Sequence, residues 1–474
     1  MSLTIPKEPP QGEMRPSPAP SRALGSVPSP SPDAVLAISF IAEAGKQMLE
    51  SSTSVSEVVD HLRAFLPAVG LEGCAIDGNL TTLTISYWKP GQAQPLTLVR
   101  EVEVSEPRLQ RLAGTMSLLE QVERKELDLP TAYERLQELG QAEGRRPLYA
   151  RIAVLVSVGG WVLFFGGLGA FTVLVALLAT ILALPVNTVV RRLRLPSLAG
   201  TFLAAIILAA VPNLMAGAGL SFVLPAAVVG GLFIYLPGRA LVSAVVDGLA
   251  NSPVSALTRA FEAIITAGAL ALGVVVGGRI GAGLGADLHV DTSATPLWLS
   301  LPAAALGVLG LALAWGSPRL RVIPTVLIGV LGWLVVYLAT QAQAGGIGWA
   351  AYLVAAILVG FLGQIVAYIQ GGSASIYVGA SILPLVPGFT FYQGVLALTQ
   401  GDSGARADLY TTAAISLAIA GGVAIGLALG RNLRELGSWV LTRGPLPDKQ
   451  SWSAKGMLRT VADFFAGQLD DQGK

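Results

Sequence analysis

Between Arg151 and Gly430 apolar side chains run almost without interruption, and only short polar stretches divide them. About 20 such residues in a helix cross the hydrocarbon core of a bilayer. The runs predict ten spans, near 151–167, 169–190, 197–216, 219–236, 255–278, 297–315, 323–341, 348–369, 374–398 and 407–430. Two breaks, Leu236-Pro237-Gly238 and Val386-Pro387-Gly388, sit 150 residues apart in this apolar sequence. Proline removes a backbone donor and clashes with the preceding turn, so each break interrupts or kinks a helix. In a membrane such a break persists only where its freed backbone groups face protein or a watery cavity.

Ahead of the apolar region the pattern is different. Residues 1–33 are rich in proline and serine and predict a disordered tail. Residues 34–146 predict a cytoplasmic α+β domain of two helices, about three strands and two helices. Ala34 to Leu49 is amphipathic, and Ser54 with Glu57 reads as a capping box opening a second helix through Leu66. Strands follow at 74–76, 80–88 and 95–104, with turns at Asp77-Gly78-Asn79 and Lys89-Pro90-Gly91. Helical spacing returns over Arg108 to Glu126 and Thr131 to Leu139, the latter with Thr131 and Glu134 as a second capping box. Residues 147–280 and 281–430 form two membrane halves. A cytoplasmic tail, 431–474, holds one amphipathic stretch from Ser453 to Phe465.

Composition narrows the function classes. Of 474 residues, 53% are hydrophobic and 13% charged, about half the charged share of a soluble domain. A net charge of +1 gives no reason for a nucleic-acid partner. Cys74 is the sole cysteine, which excludes an intrachain disulfide, and with two histidines it leaves no zinc-site spacing, so no metal or cofactor is expected. His61 reads as a surface or packing residue, and His289 alone supplies no hydrolase chemistry. No filter sequence marks a channel. Arginines orient the chain. Arg191, Arg192, Arg194, Arg239, Arg259, Arg319, Arg321, Arg431 and Arg434 fall on one side, against Arg279 and Arg406 with Asp287 and Asp291 on the other. The positive-inside rule then puts both termini in the cytoplasm.

A shift of 150 lays Pro237-Gly238 on Pro387-Gly388 and Ala205-Ile206-Ile207-Leu208 on Ala355-Ala356-Ile357-Leu358. Five spans per copy is an odd number, so the second copy is inverted: a polytopic α-helical membrane protein of two inverted five-helix repeats, which is a transporter architecture. Ala414, Ala418, Gly422, Gly426 and Gly430, and likewise Ala263, Ala267 and Ala271, form stripes that suit close helix packing.

Candidate functional groups follow from the breaks. A helix restarting after Pro-Gly aims unpaired N–H groups at an anion, and the half-helix before it ends in free carbonyls that suit a cation. Two such breaks suit a small zwitterion. The expected substrate-binding set is Pro237, Gly238, Arg239, Asn213, Pro387, Gly388, Gln364, Ser375 and Tyr377. Ionisable groups within spans are costly and point to function. Glu262, Asp247 and Arg259 are the candidates for proton coupling, with a local Arg259–Glu262 pair as the structural alternative.

LLEQVERKELDLPTAYERLQEL in the soluble domain, followed by LPGRALVSAVVDGLANSPVSALTRAFEAI and LVPGFTFYQGVLALTQGD, resembles the threonine/serine exporter family over about Ala34 to Gly430. The resemblance implies a secondary transporter that exports threonine, serine and related small amino acids across the bacterial cytoplasmic membrane, driven by the electrochemical gradient. Its partners would be the amino acid, protons and the lipid bilayer, with a homo-oligomer left open. Arg239, Asp247 and Arg259 stand in the first copy's pattern, whereas the second has Phe389 or Thr390, Ala397 and Leu409. The rival expectation is a membrane-anchored sensor whose N-terminal domain binds a small ligand.

Overall fold

A computed structural model describes residues 32–441, apart from 52, 72, 89–93, 104–106, 142–147, 283–294, 343–347 and 403. Nearly all of the expected tail 1–33, the turn at Lys89-Pro90-Gly91, the connection holding Asp287, His289 and Asp291, and the stretch Ser453 to Phe465 lie outside the described residues.

The N-terminal region runs α1 (Pro32–Glu50), α2 (Val55–Phe65), β1 (Cys74–Gly78), β2 (Thr82–Tyr87), β3 (Leu96–Glu101), α3 (Leu109–Glu123) and α4 (Leu129–Gln141). The strands pair antiparallel in the order β1-β2-β3, with Ile76 opposite Ile85 and Ile85 opposite Leu98. Alternation in β2 sends Leu83 and Ile85 inward, where they join Phe40, Ile41, Met48 and Leu62 in one core. Gln47 is fully buried in α1, yet it is satisfied: Nε2 donates to Leu136 O at 2.8 Å and Oε1 accepts from Thr115 Oγ1 at 3.3 Å. That side chain ties α1 to α3 and α4.

Ser54 caps α2 as the sequence predicts, its Oγ accepting from Glu57 N at 3.3 Å. The start of α4 differs. Asp128 is the cap, with Oδ2 accepting from Thr131 N, because Asp fits the N-cap as well as Thr and stands ahead of a helix-compatible Leu-Pro pair. Hydrogen bonds from Thr131 hold the Asp128 carboxyl below the usual aspartate value. Burial pushes the Cys74 thiol up, which disfavours the reactive thiolate.

The apolar region forms α5 (Leu148–Phe164), α6 (Ala170–Ala183), α7 (Val186–Arg192), α8 (Ser197–Gly217), α9 (Leu224–Leu232), α10 (Gly238–Leu249), α11 (Pro253–Ala282), α12 (Leu297–Ala314), α13 (Arg319–Ala342), α14 (Gly348–Gln370), α15 (Ser375–Ser381), α16 (Gly388–Gln400) and α17 (Ala405–Leu441). Among the described residues seven helices, α6 and α7 taken as one, are long and apolar enough to cross a membrane. Two further pairs, Leu224–Tyr235 with Gly238–Leu249 and Ser375–Leu385 with Gly388–Leu398, are bent by 43° and 50° and count as broken spans or re-entrant loops. α5 is a shorter apolar helix of 17 residues. The chain is therefore a polytopic helical membrane protein.

The helix expected to restart after the first Pro-Gly is α10, Gly238–Leu249, in the connection between the expected spans ending at 236 and starting at 255. Its polar groups Arg239, Ser243 and Asp247 recur every four residues, which is a helix face and not a solvated loop.

Close packing depends on glycine. A Cβ on Gly310 of α12 would lie 2.3 Å from Ser157 N, and one on Gly160 of α5 would lie 2.4 Å from Gly307 N. Contacts fall along α5 as they rise along α12, so these two helices cross antiparallel. Gly422 and Gly426 of α17 meet the α14 backbone as the stripe predicts. In α11, Gly273 and Gly277 make the corresponding approach to α8, further along than the stripe of Ala263, Ala267 and Ala271.

Candidate functional site

Both breaks have the same local form. A short 3-10 turn, Phe233–Tyr235 or Leu383–Leu385, ends in an extended residue, Leu236 (ψ 133°) or Val386 (ψ 127°). The following proline forces that geometry by excluding the helical region from its predecessor. Glycine then begins the next helix. A Cβ on Gly238 would lie 3.1 Å from Val386 Cγ2, and one on Gly388 would lie 2.7 Å from Leu236 Cδ1. Each glycine thus touches the residue before the other break's proline. The structure brings Pro237, Gly238, Pro387 and Gly388 together at one point.

Beside the first break lies a cavity of about 60 Å³, lined by α10, α14, α15, α17 and the start of α2. At roughly 10–15 Å³ per water it has room for about four to six waters. Arg239, Gln364 and Ser375 of the predicted set line it, together with Ser243, Ser54, Glu57 and Arg431. The Arg239 guanidinium lies 5.0 Å from the centre of the Trp315 ring, a cation–π arrangement. A Cβ on Gly379 would come within 3.3 Å of Arg239 Nε, so glycine there leaves room for the arginine. Arg431 faces Asp60 at 3.8 Å.

Glu57 reaches this cavity from the N-terminal domain. Its carboxylate accepts from Ser373 Oγ at 2.6 Å and from Ser375 Oγ. Neighbouring contacts fasten the same segment to the membrane helices. Ser56 donates from N (3.2 Å) and Oγ (3.1 Å) to Asp247 Oδ1, and Arg259 Nη2 donates to Thr53 O at 3.2 Å. A further bond, Leu109 N to Trp315 O at 2.9 Å, joins α3 to the residue beneath Arg239.

A second cavity, about 10 Å³, is lined only by apolar groups and Tyr392, among them Val229, Leu232, Leu236 and Gly388. By the 150-residue shift Val229, Leu232 and Tyr392 correspond to Gly379, Ile382 and Val242 of the first cavity. The two cavities thus share positions under that shift and differ in polarity.

The remaining predicted residues lie elsewhere. Asn213 is buried in α8 and donates to Ala209 O of its own helix at 2.8 Å. Tyr377 is fully buried with its hydroxyl on Gln370 Oε1 at 2.9 Å. Of the coupling candidates, Asp247 and Arg259 are buried at the domain contact, each with one polar atom unpartnered (Asp247 Oδ2 and Arg259 Nε). Glu262 is exposed on α11, one turn from Arg259. Glu57, Ser243 and Trp315 were absent from the sequence-derived set. Glu57 carried a signal only as a capping residue, and its serine partners lie 316 and 318 positions away.

Comparison with known proteins gives the family. Residues 39–281 match a family described as "Putative threonine/serine exporter", and residues 301–432 match one described as "Threonine/Serine exporter, ThrE". A Mycobacterium tuberculosis (strain ATCC 25618 / H37Rv) protein named "Probable threonine/serine exporter" is 28% identical over 406 residues, covering 82% of this chain and 75% of that protein. A Corynebacterium glutamicum "Threonine/serine exporter" is 26% identical over 414 residues, covering 83% and 81%. No solved structure matches. The family is one of exporters and not of enzymes. With its two matched segments spanning both the domain and the paired Pro-Gly breaks, this chain belongs to the threonine/serine exporter family.

Proposed function

We propose that the protein is a secondary active transporter that exports threonine, serine and similar small amino acids across the bacterial cytoplasmic membrane. The observation that carries this reading is the polar cavity beside the facing Pro-Gly breaks, whose lining sets Arg239, of the charge a carboxylate needs, beside the polar groups of Ser243, Gln364 and Ser375. The N-terminus of α10 adds its dipole on the same side as Arg239, its second residue.

Ten crossings in two inverted repeats are part of the proposal. The seven long helices and two bent pairs are joined by α5, whose partner under the 150-residue shift is α12. The antiparallel crossing of α5 and α12 supports inversion. Both termini then lie in the cytoplasm, with the polar cavity in the inner half and the apolar one in the outer half. The sharing of one cavity between the N-terminal domain and membrane helices favours transport over a separate sensor domain.

The proton motive force is the proposed driving force, and Asp247 is the favoured proton carrier. It is fully buried with one carboxylate oxygen unpartnered, whereas Glu262 is exposed. The test is flux of labelled L-threonine and L-serine in proteoliposomes with and without a proton gradient. Gradient-accelerated flux of both is expected. Flux of neither amino acid overturns the substrate reading, and flux indifferent to the gradient overturns proton coupling.

A further inference from the structure

An amino acid presents a carboxylate and an ammonium a few bonds apart, so a site for it needs a cation and an anion facing one small space. Arg239, the second residue of α10 beside the first break, is the cation set at this space. Among the lining residues one side chain is acidic, and it comes from outside the membrane helices. We propose that Glu57 of the N-terminal domain binds the substrate's ammonium group, so that the domain and the membrane helices build the binding site jointly. This inference rests on the reading of the polar cavity as the substrate site.

Three observations place Glu57 in that role. Its backbone is fixed, because Ser54 caps α2 through Glu57 N, and Ser56 and Thr53 on the same segment are bonded to Asp247 and Arg259. Its carboxylate lines the cavity, and its hydrogen-bond donors among the described residues are the neutral hydroxyls of Ser373 and Ser375. An ammonium brings three donors and a full charge, and charge-assisted bonds are roughly twice as strong as neutral ones. It therefore displaces those hydroxyls. Ser373 Oγ also accepts from Ser375 N at 3.2 Å, so that bond remains when the carboxylate turns to substrate. The space left between Glu57 and Arg239 is bordered by Val242, Val378 and Ile382, which suit a short side chain with a methyl group.

A docking residue and an ammonium-binding residue make different demands on the ligand, and this separates them. The experiment uses the full-length protein in proteoliposomes and compares L-threonine with its desamino analogue, the same hydroxy acid without the ammonium. Wild type should prefer threonine strongly. Glu57→Gln should raise the threonine KM roughly 10- to 100-fold, as expected for losing a bond to a charged group. The analogue should be little affected, so the preference collapses. Ser373→Ala removes a docking bond and leaves the carboxylate, so the preference should survive. A Glu57→Gln protein that loses activity equally toward both compounds, or retains the preference, overturns the proposal. If Glu57→Gln fails to accumulate, Glu57→Asp replaces it: a KM rise for threonine alone supports the assignment, and equal rises overturn it. Arg239→Gln serves as the control for the underlying reading. If it leaves the KM of both compounds unchanged, the cavity is not the substrate site. If it weakens both while Glu57→Gln keeps the preference, only the role of Glu57 falls.

Discussion

Ser157 Oγ donates to Gly307 O at 2.8 Å, and the two residues are 150 positions apart. In the proposed two-repeat architecture these residues are counterparts, and a residue that bonds to its own counterpart would lie at the axis relating the halves, as in a two-fold interface. The same bond orders a buried aromatic ring, since Trp161 Nε1 donates to Ser157 Oγ at 3.0 Å.

Ser157→Ala leaves the Trp161 donor buried without a partner, at a cost of about 1–3 kcal/mol. Detergent-solubilised Ser157→Ala protein should melt at a lower temperature while its threonine KM stays at the wild-type value. An altered KM with an unchanged melting point would show that this crossing belongs to the transport path.

At the breaks the two glycines are not equally crowded. Gly388→Ala places a methyl 2.7 Å from both Leu236 Cδ1 and the Phe233 ring, against 3.1 Å from Val386 Cγ2 for Gly238→Ala. Overpacking of this kind costs about 1–3 kcal/mol. Gly388→Ala should therefore slow transport and lower thermal stability more than Gly238→Ala. The reverse order, read from initial rates at equal protein content, would contradict the facing arrangement of the breaks.

Coupling is tested by neutral isosteres. Asp247→Asn keeps shape and hydrogen bonding to Ser56 but cannot titrate. Gradient-driven export should be lost while exchange of internal for external threonine persists, because exchange does not require the empty carrier to return. Glu262→Gln should leave both activities intact. Loss of net export in Glu262→Gln, with export preserved in Asp247→Asn, would return the proton to Glu262.

Topology is open to labelling in intact cells on a Cys74→Ser background. Leu320 and Leu220 are 85% and 44% exposed and fall on opposite sides in the proposed topology. An impermeant thiol reagent should label Leu220→Cys and spare Leu320→Cys. The opposite pattern would invert the molecule and place the N-terminal domain outside.

The breaks were legible because Pro-Gly acts locally: proline dictates the backbone of Leu236 and Val386 whatever surrounds them. Glu57 was not, because the capping box with Ser54 accounts for that residue within a few positions. Nothing local announces that its carboxylate meets Ser373 and Ser375 across the membrane boundary. Arg239 and Asp247 were legible as candidates on the helix that restarts after Pro-Gly, but their burial was not, since a polar face against protein and one against water look alike in sequence. Asn213 and Tyr377 carry the two readings that polar residues at membrane depth allow, ligand or helix glue, and in this structure they bond to Ala209 and Gln370 nearby.

The unequal polarity of the two cavities bears on how the exporter behaves under load. Charged and hydroxyl-bearing groups surround one space, and the other is lined only by apolar groups and Tyr392. A ligand that binds one conformation better than the other stabilises that conformation by the difference. In the proposed orientation cytoplasmic threonine would saturate its side at low concentration, whereas external threonine would have to accumulate far more before occupying the carrier. Product inhibition would then be weak: a driven exporter of this construction would keep its pace while the medium fills with what it has already released.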